Sequence, residues 1–167
     1  MSATIVKTVV TIAGILVGIV GIRVTIWASR KKKTATITQK TKVFCSPRKK
    51  GSFTFDYSSN NGEYVIGEGD ALFRTRWSKA SNTSIHAYKD GQGIVSIAIL
   101  KDAGDIENIQ KIEGDFSSRA RTPRVGDAII WRNEAGKYAI TKIVSIKDDT
   151  RGDKCDELTC DYAILND

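Results

Sequence analysis

Apolar and polar positions follow two different periods along this chain. From Thr8 to Ile22 the run TVVTIAGILVGIVGI holds no charged residue. As a helix it is about 22 Å long, against a hydrocarbon core of roughly 30 Å. Lys7 and Arg23 flank the run, and long basic side chains snorkel toward headgroups, so the usable span extends from Ala3 to about Ala28. Trp27 falls where interfacial aromatics are favoured, just ahead of Arg30, Lys31, Lys32 and Lys33. The pattern predicts a single transmembrane helix over residues 3–29. A cleaved signal peptide fits less well, because the charge follows the apolar core and Trp27 crowds the small residues Ala28 and Ser29.

From Phe53 the period becomes two, the spacing of a strand with one buried face. FTFDY leads into SSNNG, whose Asn61-Gly62 pair tolerates positive φ, and EYVIG resumes an extended run. ALFRTRWS and TSIHAY form a second pair joined by KASN. GIVSIAIL is almost continuously apolar and is predicted as a central strand. Ile106, Ile109 and Ile112, with Asp105 as N-cap, predict one short helix. VGDAIIWRNEAGKYAITKIVSIK reads as strand, turn, strand, and DELTCDYAIL as a last strand. The fold class is mainly β: a small antiparallel barrel or sandwich over residues 53–165, a β-rich soluble domain with one short helix.

Charge separates the two regions. Residues 1–50 carry eleven of the 26 positive residues and no acid, whereas the chain from Gly51 onward has a net charge of −4. Residues 30–52 therefore read as a basic tether. Arg30, Lys31, Lys32 and Lys33 lie at the membrane surface, and their number against the lone Lys7 predicts an inner-membrane, single-pass protein, N-out and C-in, with the β domain cytoplasmic. The second cluster, Arg48 to Lys50, is either a solvated spacer or a contact for the membrane or an acidic partner. A mildly acidic domain argues against nucleic acid as a partner. Gly14 and Gly18 are spaced as GxxxG and mark a helix-pairing face for a homo-oligomer or another membrane protein, although glycine is common in membrane helices in any case.

Candidate chemistry is sparse. His86 is the one histidine and has no nucleophile or acid beside it in sequence, so a core or surface role outweighs catalysis. Cys45, Cys155 and Cys160 do not have metal spacing, and no cofactor or metal is expected. Asp148, Asp149, Asp153, Asp156 and Glu157 miss the calcium-loop spacing and read as a solvated acidic turn. Arg151-Gly152-Asp153 and the sequon at Asn82 carry no weight in a cytoplasmic domain. The stretch RTRWSKASNTSIHAYKD is the best candidate: Arg74, Arg76, Lys79, His86 and Tyr88 could hold a small anionic or planar ligand. Alternation places Trp77 in the core and Arg74 and Arg76 outside. The expected function is a membrane-anchored binding or sensing module, not an enzyme. The alternatives are an exported envelope domain with a Cys155–Cys160 disulfide, or an enzyme with a site around His86, Arg74 and Tyr88.

Two resemblances add to this reading. VGDAIIW followed by GKYAITKIVSI looks like the opening hairpin of an SH3-like small barrel. FDYSSNNGEYVIGEG, RWSKASNTSIHAYKD, RTPRVGDAIIWRNEAGKYA and DDTRGDKCDELTCDYAIL are together similar to an uncharacterised bacterial β-rich module of membrane-tethered and defence-type proteins. The resemblance implies a β fold and a bacterial, membrane-tethered setting; it brings no activity and no functional residues.

Overall fold

A computed structural model describes residues 44–109 and 111–165. The helix expected over 3–29, with Gly14 and Gly18, and Arg30 to Lys33 lie outside the described residues. Among the described residues no helix is long and apolar enough to cross a membrane.

Ten strands follow in order: β1 Cys45–Ser46, β2 Lys50–Phe55, β3 Glu63–Ile66, β4 Phe73–Lys79, β5 Ile85–Tyr88, β6 Ile94–Leu100, β7 Ala120–Arg121, β8 Ala128–Asn133, β9 Tyr138–Lys147 and β10 Glu157–Ile164. They form two five-stranded sheets, β1-β3-β4-β5-β7 and β2-β10-β9-β8-β6. Pairing is antiparallel except for β1 on β3. The inner faces of both sheets meet in one core that includes Phe53, Phe73, Trp77, Ile97, Trp131, Ile143 and Leu158. Alternation dictates this directly, since Phe73, Thr75 and Trp77 of β4 are buried and the residues between them are not.

At the centre the rings of Trp77 and Trp131 meet edge to face, 5.2 Å between centroids. Each indole N–H is satisfied within its own sheet: Trp77 Nε1 donates to Thr75 Oγ1 at 2.8 Å and Trp131 Nε1 donates to Thr141 Oγ1 at 2.9 Å. Both threonines are fully buried, which is tolerated because each finds a partner.

The outer face of the second sheet is also dry. Ala98, Ala128, Ile130, Ile140 and Ala163 point away from the main core into a second cluster with Ala103 and Ile106, against which Ile109, Ile112 and Phe116 pack. The segment between β6 and β7 is thus a strap laid across that face. Lys142 Nζ holds it by donating to Gly104 O at 2.9 Å. Asp127 adds a second fastening, accepting from Lys101 Nζ at 2.7 Å and from the Asp102 N–H at 3.1 Å.

Several expectations need correction. The sheets do not close into a barrel, and the Val125-Gly126-Asp127 turn leads β8 into an open sheet between β6 and β9 instead of a small SH3-like barrel. GIVSIAIL forms an edge strand, β6, whose continuous apolarity reflects the core on one face and the strap on the other. The helix expected across Ile106 to Ile112 is one 3-10 turn, Ile106–Asn108, capped by Asp105. The SSNNG turn does not close a hairpin; β2 pairs with β10 and β3 with β4, so the turn passes between sheets. Strand pairing begins at Cys45, so residues 44–52, read as the end of the tether, belong to the folded part.

Truncating Trp131 to Ala should cost about 3–5 kcal/mol. Thr141→Val, which leaves the Trp131 N–H buried and unpaired, should cost about 1–3 kcal/mol. Urea unfolding followed by circular dichroism measures both, and a neutral Thr141→Val would remove the role given to that hydrogen bond.

Candidate functional site

The outer face of the first sheet is the wet one, and the β4–β5 hairpin sets its chemistry. Register places Arg76 opposite Tyr88 and Ser78 opposite His86. Ser78 Oγ and Tyr88 OH share a hydrogen bond of 2.9 Å. Trp77 is 1% exposed and faces inward, as alternation requires, which leaves Arg74 and Arg76 on the outside.

The five residues singled out from sequence divide into three environments. Arg76, Tyr88 and Lys79 line one groove of about 480 Å³, together with Asn61, Asp90 and Arg119. Arg74 lies apart from it and pairs with Glu63 at 2.8 Å. His86 is also outside the groove lining; its Nδ1 shares a hydrogen bond of 2.9 Å with Thr122 Oγ1. Thr122 is thus the partner of the His86 ring, and no carboxylate among the described residues hydrogen-bonds it.

Within the groove the cations differ in commitment. Arg119 grips Asp90 through two hydrogen bonds, from Nε at 2.9 Å and Nη2 at 2.6 Å. Arg76 donates from Nη2 to the neutral amide oxygen of Asn61 at 2.9 Å and makes no ion pair among the described residues. Asn61 is held there by a turn of three consecutive left-handed residues, Asn60, Asn61 and Gly62, with φ of 47°, 56° and 67°. Gly62 is required: a Cβ there would lie 1.9 Å from Trp77 O.

Lys79 belongs to a different device. Its Nζ lies 2.6 Å from Asp149 Oδ1, 2.9 Å from Asp156 Oδ1 and 3.0 Å from Asp148 Oδ1. Tyr57 OH donates to Asp156 Oδ1 at 3.1 Å and to Lys147 O at 2.7 Å. Arg151 Nη1 donates to Asp148 Oδ2 at 2.7 Å, and the Asp148 N–H donates to Asp153 Oδ2 at 2.8 Å. The loop expected to be a solvated acidic turn is therefore organised and partly interior, with Asp148 fully buried and Asp156 8% exposed. The three carboxylates converge as metal ligands can, and the Lys79 ammonium stands among them. Arg151 and Asp153 of the adhesion-like tripeptide are engaged in the same loop.

The hydrogen bonds from Thr150, with the Lys79 ammonium and the Arg151 guanidinium, hold the Asp148 carboxyl well below its ordinary range, against the opposing effect of burial. For Asp156, burial pushes upward but is outweighed by hydrogen bonds from Lys79, the Asp149 N–H and Tyr57. Hydrogen bonds to Asp149, Asp156 and Asp148 raise Lys79 in turn, while burial and the Asp156 charge push the Tyr57 phenol up.

The three cysteines are free thiols; Cys45 and Cys155 are exposed, whereas Cys160 is fully buried in the core. A Cys155–Cys160 bridge would require pulling Cys160 out of the face it shares with Leu158 and Tyr162.

Sequence reasoning missed Asn61, Asp90 and Arg119, and it missed that Asp148, Asp149 and Asp156 converge on Lys79. Asn61-Gly62 carried a turn signal that pointed to it; no local pattern connects a strand-end lysine to acids some seventy residues later. Comparisons with known protein families, with curated proteins and with solved structures find no match for this chain.

Asp148 and Asp156 titrate lower in the folded than in the unfolded chain, so their stabilisation is complete above the ordinary value of 3.8 and is lost as pH falls through the depressed values. Urea unfolding at stepped pH should show this acid loss in the native chain. Lys79→Met should be less stable at neutral pH and show a flatter acid limb, because its carboxylates no longer have the ammonium to hold them ionised. An unchanged acid limb in the variant would show that Lys79 does not hold them.

Proposed function

We propose that the chain is a bitopic inner-membrane protein, N-out and C-in, whose β domain is a binding module that takes a small anionic ligand in the groove beside Arg76 and Tyr88. The observation that carries the ligand reading is the state of Arg76, a guanidinium that lines a groove of about 480 Å³ and is held in place by a neutral amide instead of a carboxylate. An incoming anion gains a charge-assisted, planar pair there without displacing an internal one. Arg119 and Lys79 bound the groove but are neutralised by their own carboxylates, which leaves Arg76 as its ligating cation.

The membrane part rests on the sequence: the uncharged run from Thr8 to Ile22 and the basic tetrad from Arg30 to Lys33. Gly14 and Gly18 are spaced to pair helices of two copies or of a membrane partner. Binding in place of catalysis is supported by the position of His86 outside the groove lining.

Topology is tested by labelling intact cells with a membrane-impermeant maleimide, using a Cys45→Ser chain so that exposed Cys155 reports alone and buried Cys160 stays silent until denaturation. Labelling only after lysis is expected; labelling of intact cells would place the domain outside. Ligand binding is tested by thermal shift of the purified full chain with phosphate, sulfate, carboxylates and nucleotides. Arg76→Ala should weaken an anion that stabilises the native chain by about 1.5–3 kcal/mol, roughly 10-fold to 150-fold in Kd. No shift with any anion, or shifts unaffected by Arg76→Ala, would reject the groove as its site.

A further inference from the structure

We propose that the corner joining β1 to β2 is a docking surface for an anionic lipid leaflet, and that it sets the orientation of the β domain on the membrane. The proposal rests on the membrane-anchor reading above and goes beyond it by assigning a contact to the folded domain itself.

Arg48, Lys49 and Lys50 are all exposed. Read from sequence they end a tether, but in the structure they sit on a fastened corner. Tyr162 OH donates to Arg48 O at 3.2 Å and shares a hydrogen bond of 2.6 Å with Ser46 Oγ. The Ile164 N–H donates to Lys49 O at 2.7 Å. Three adjacent positive side chains are therefore displayed from rigid backbone, not from a solvated coil. The rest of the domain has the opposite sign, with a net charge of −4 from Gly51 onward. An anionic surface attracts this corner and repels the body, and that asymmetry selects one orientation.

The corner also has apolar surface. Lys49 and Lys50 border a groove of about 580 Å³ with Ile109, Ala163, Ile164 and Leu165, and Glu107 pairs with Lys50 across it at 2.7 Å. Ile109 and Leu165 are half-exposed there beside the lysines, so the basic edge has apolar neighbours that can enter the interfacial layer. Chain length permits the contact: ten residues separate Lys33 from Phe44, and fully extended they reach at most about 35 Å. Attraction to the leaflet acts within a Debye length, about 10 Å at 0.1 M salt, and a tether of that reach lets the corner sample that layer at high local concentration.

The test uses the full chain reconstituted in vesicles of phosphatidylcholine alone or of phosphatidylcholine with phosphatidylglycerol. An environment-sensitive dye is placed on Cys45 in a Cys155→Ser chain, next to the corner. In a Cys45→Ser chain it is placed on Cys155, beyond the opposite end of β10 from Ile164. The Cys45 dye should shift to the blue in the anionic vesicles only, with the Cys155 dye unchanged. That shift should disappear in about 1 M salt, where the Debye length is about 3 Å, and in an Arg48→Ser, Lys49→Ser, Lys50→Ser chain that still floats with the vesicles. The same emission from Cys45 in both vesicle types, or a shift retained by the triple variant, overturns the docking and leaves the anchor standing. Release of the native chain from the vesicles by alkaline carbonate, read by flotation before any dye is measured, overturns the anchor and the docking with it.

Discussion

The edge-to-face contact of Trp77 with Trp131 is the constraint on which the rest of the domain depends. Each ring comes from a different sheet, and their 5.2 Å separation sets how closely the two sheets stack. The contact is workable because neither indole asks anything polar of the other sheet. Thr75 and Thr141 satisfy the two N–H groups locally, so the interface between the sheets stays apolar. Thr75 Oγ1 in turn donates to Tyr64 O at 2.8 Å, which ties the same residue to the neighbouring strand β3. Once Trp77 faces inward, strand geometry leaves Arg76 and Ser78 no choice but the outer face.

The two outer faces then diverge. That of the second sheet is covered by the strap between β6 and β7, whose Ala103, Ile106 and Phe116 cover Ala128, Ile130 and Ile140. That of the first sheet carries Arg74, Arg76, Ser78, His86 and Tyr88, none of them buried. Along β4 and β5 the outer face of the first sheet is left open, and the groove at Arg76 forms there. The groove at Arg76 therefore follows from where the strap is laid as much as from the residues that line it.

Legibility in the sequence tracked how local the cause was. Period-two alternation in β4 and β10 and the Asn61-Gly62 turn are local, and each was readable. The spacing of Ile106, Ile109 and Ile112 was readable too, but its cause was not: the three residues follow the outer face of a sheet that needs covering, and Asp105 caps a single 3-10 turn. GIVSIAIL misled for the same reason, since two covered faces and two strand neighbours leave the same apolar signature. Least legible was the setting of Lys79. Its partners Asp148, Asp149 and Asp156 lie in the β9–β10 loop, and only the stacking of the two sheets brings that loop against the end of β4.

The turn at the lip of the groove is where the fold spends stability. Left-handed conformation costs a non-glycine residue roughly 1–2 kcal/mol, and Asn60 and Asn61 adopt it in succession. Asparagine lowers that cost by bonding locally, and the Asn60 amide does so by donating to Glu63 O at 3.3 Å. The remaining strain persists because the surroundings over-determine the turn: Gly62 packs against the Trp77 carbonyl, and Asn61 receives Arg76. Relaxing the turn would move the Asn61 amide off the guanidinium and take away the neutral partner that Arg76 has in the groove. Strain here thus presents a neutral amide to the guanidinium that lines the groove, the kind of site where backbone strain is retained.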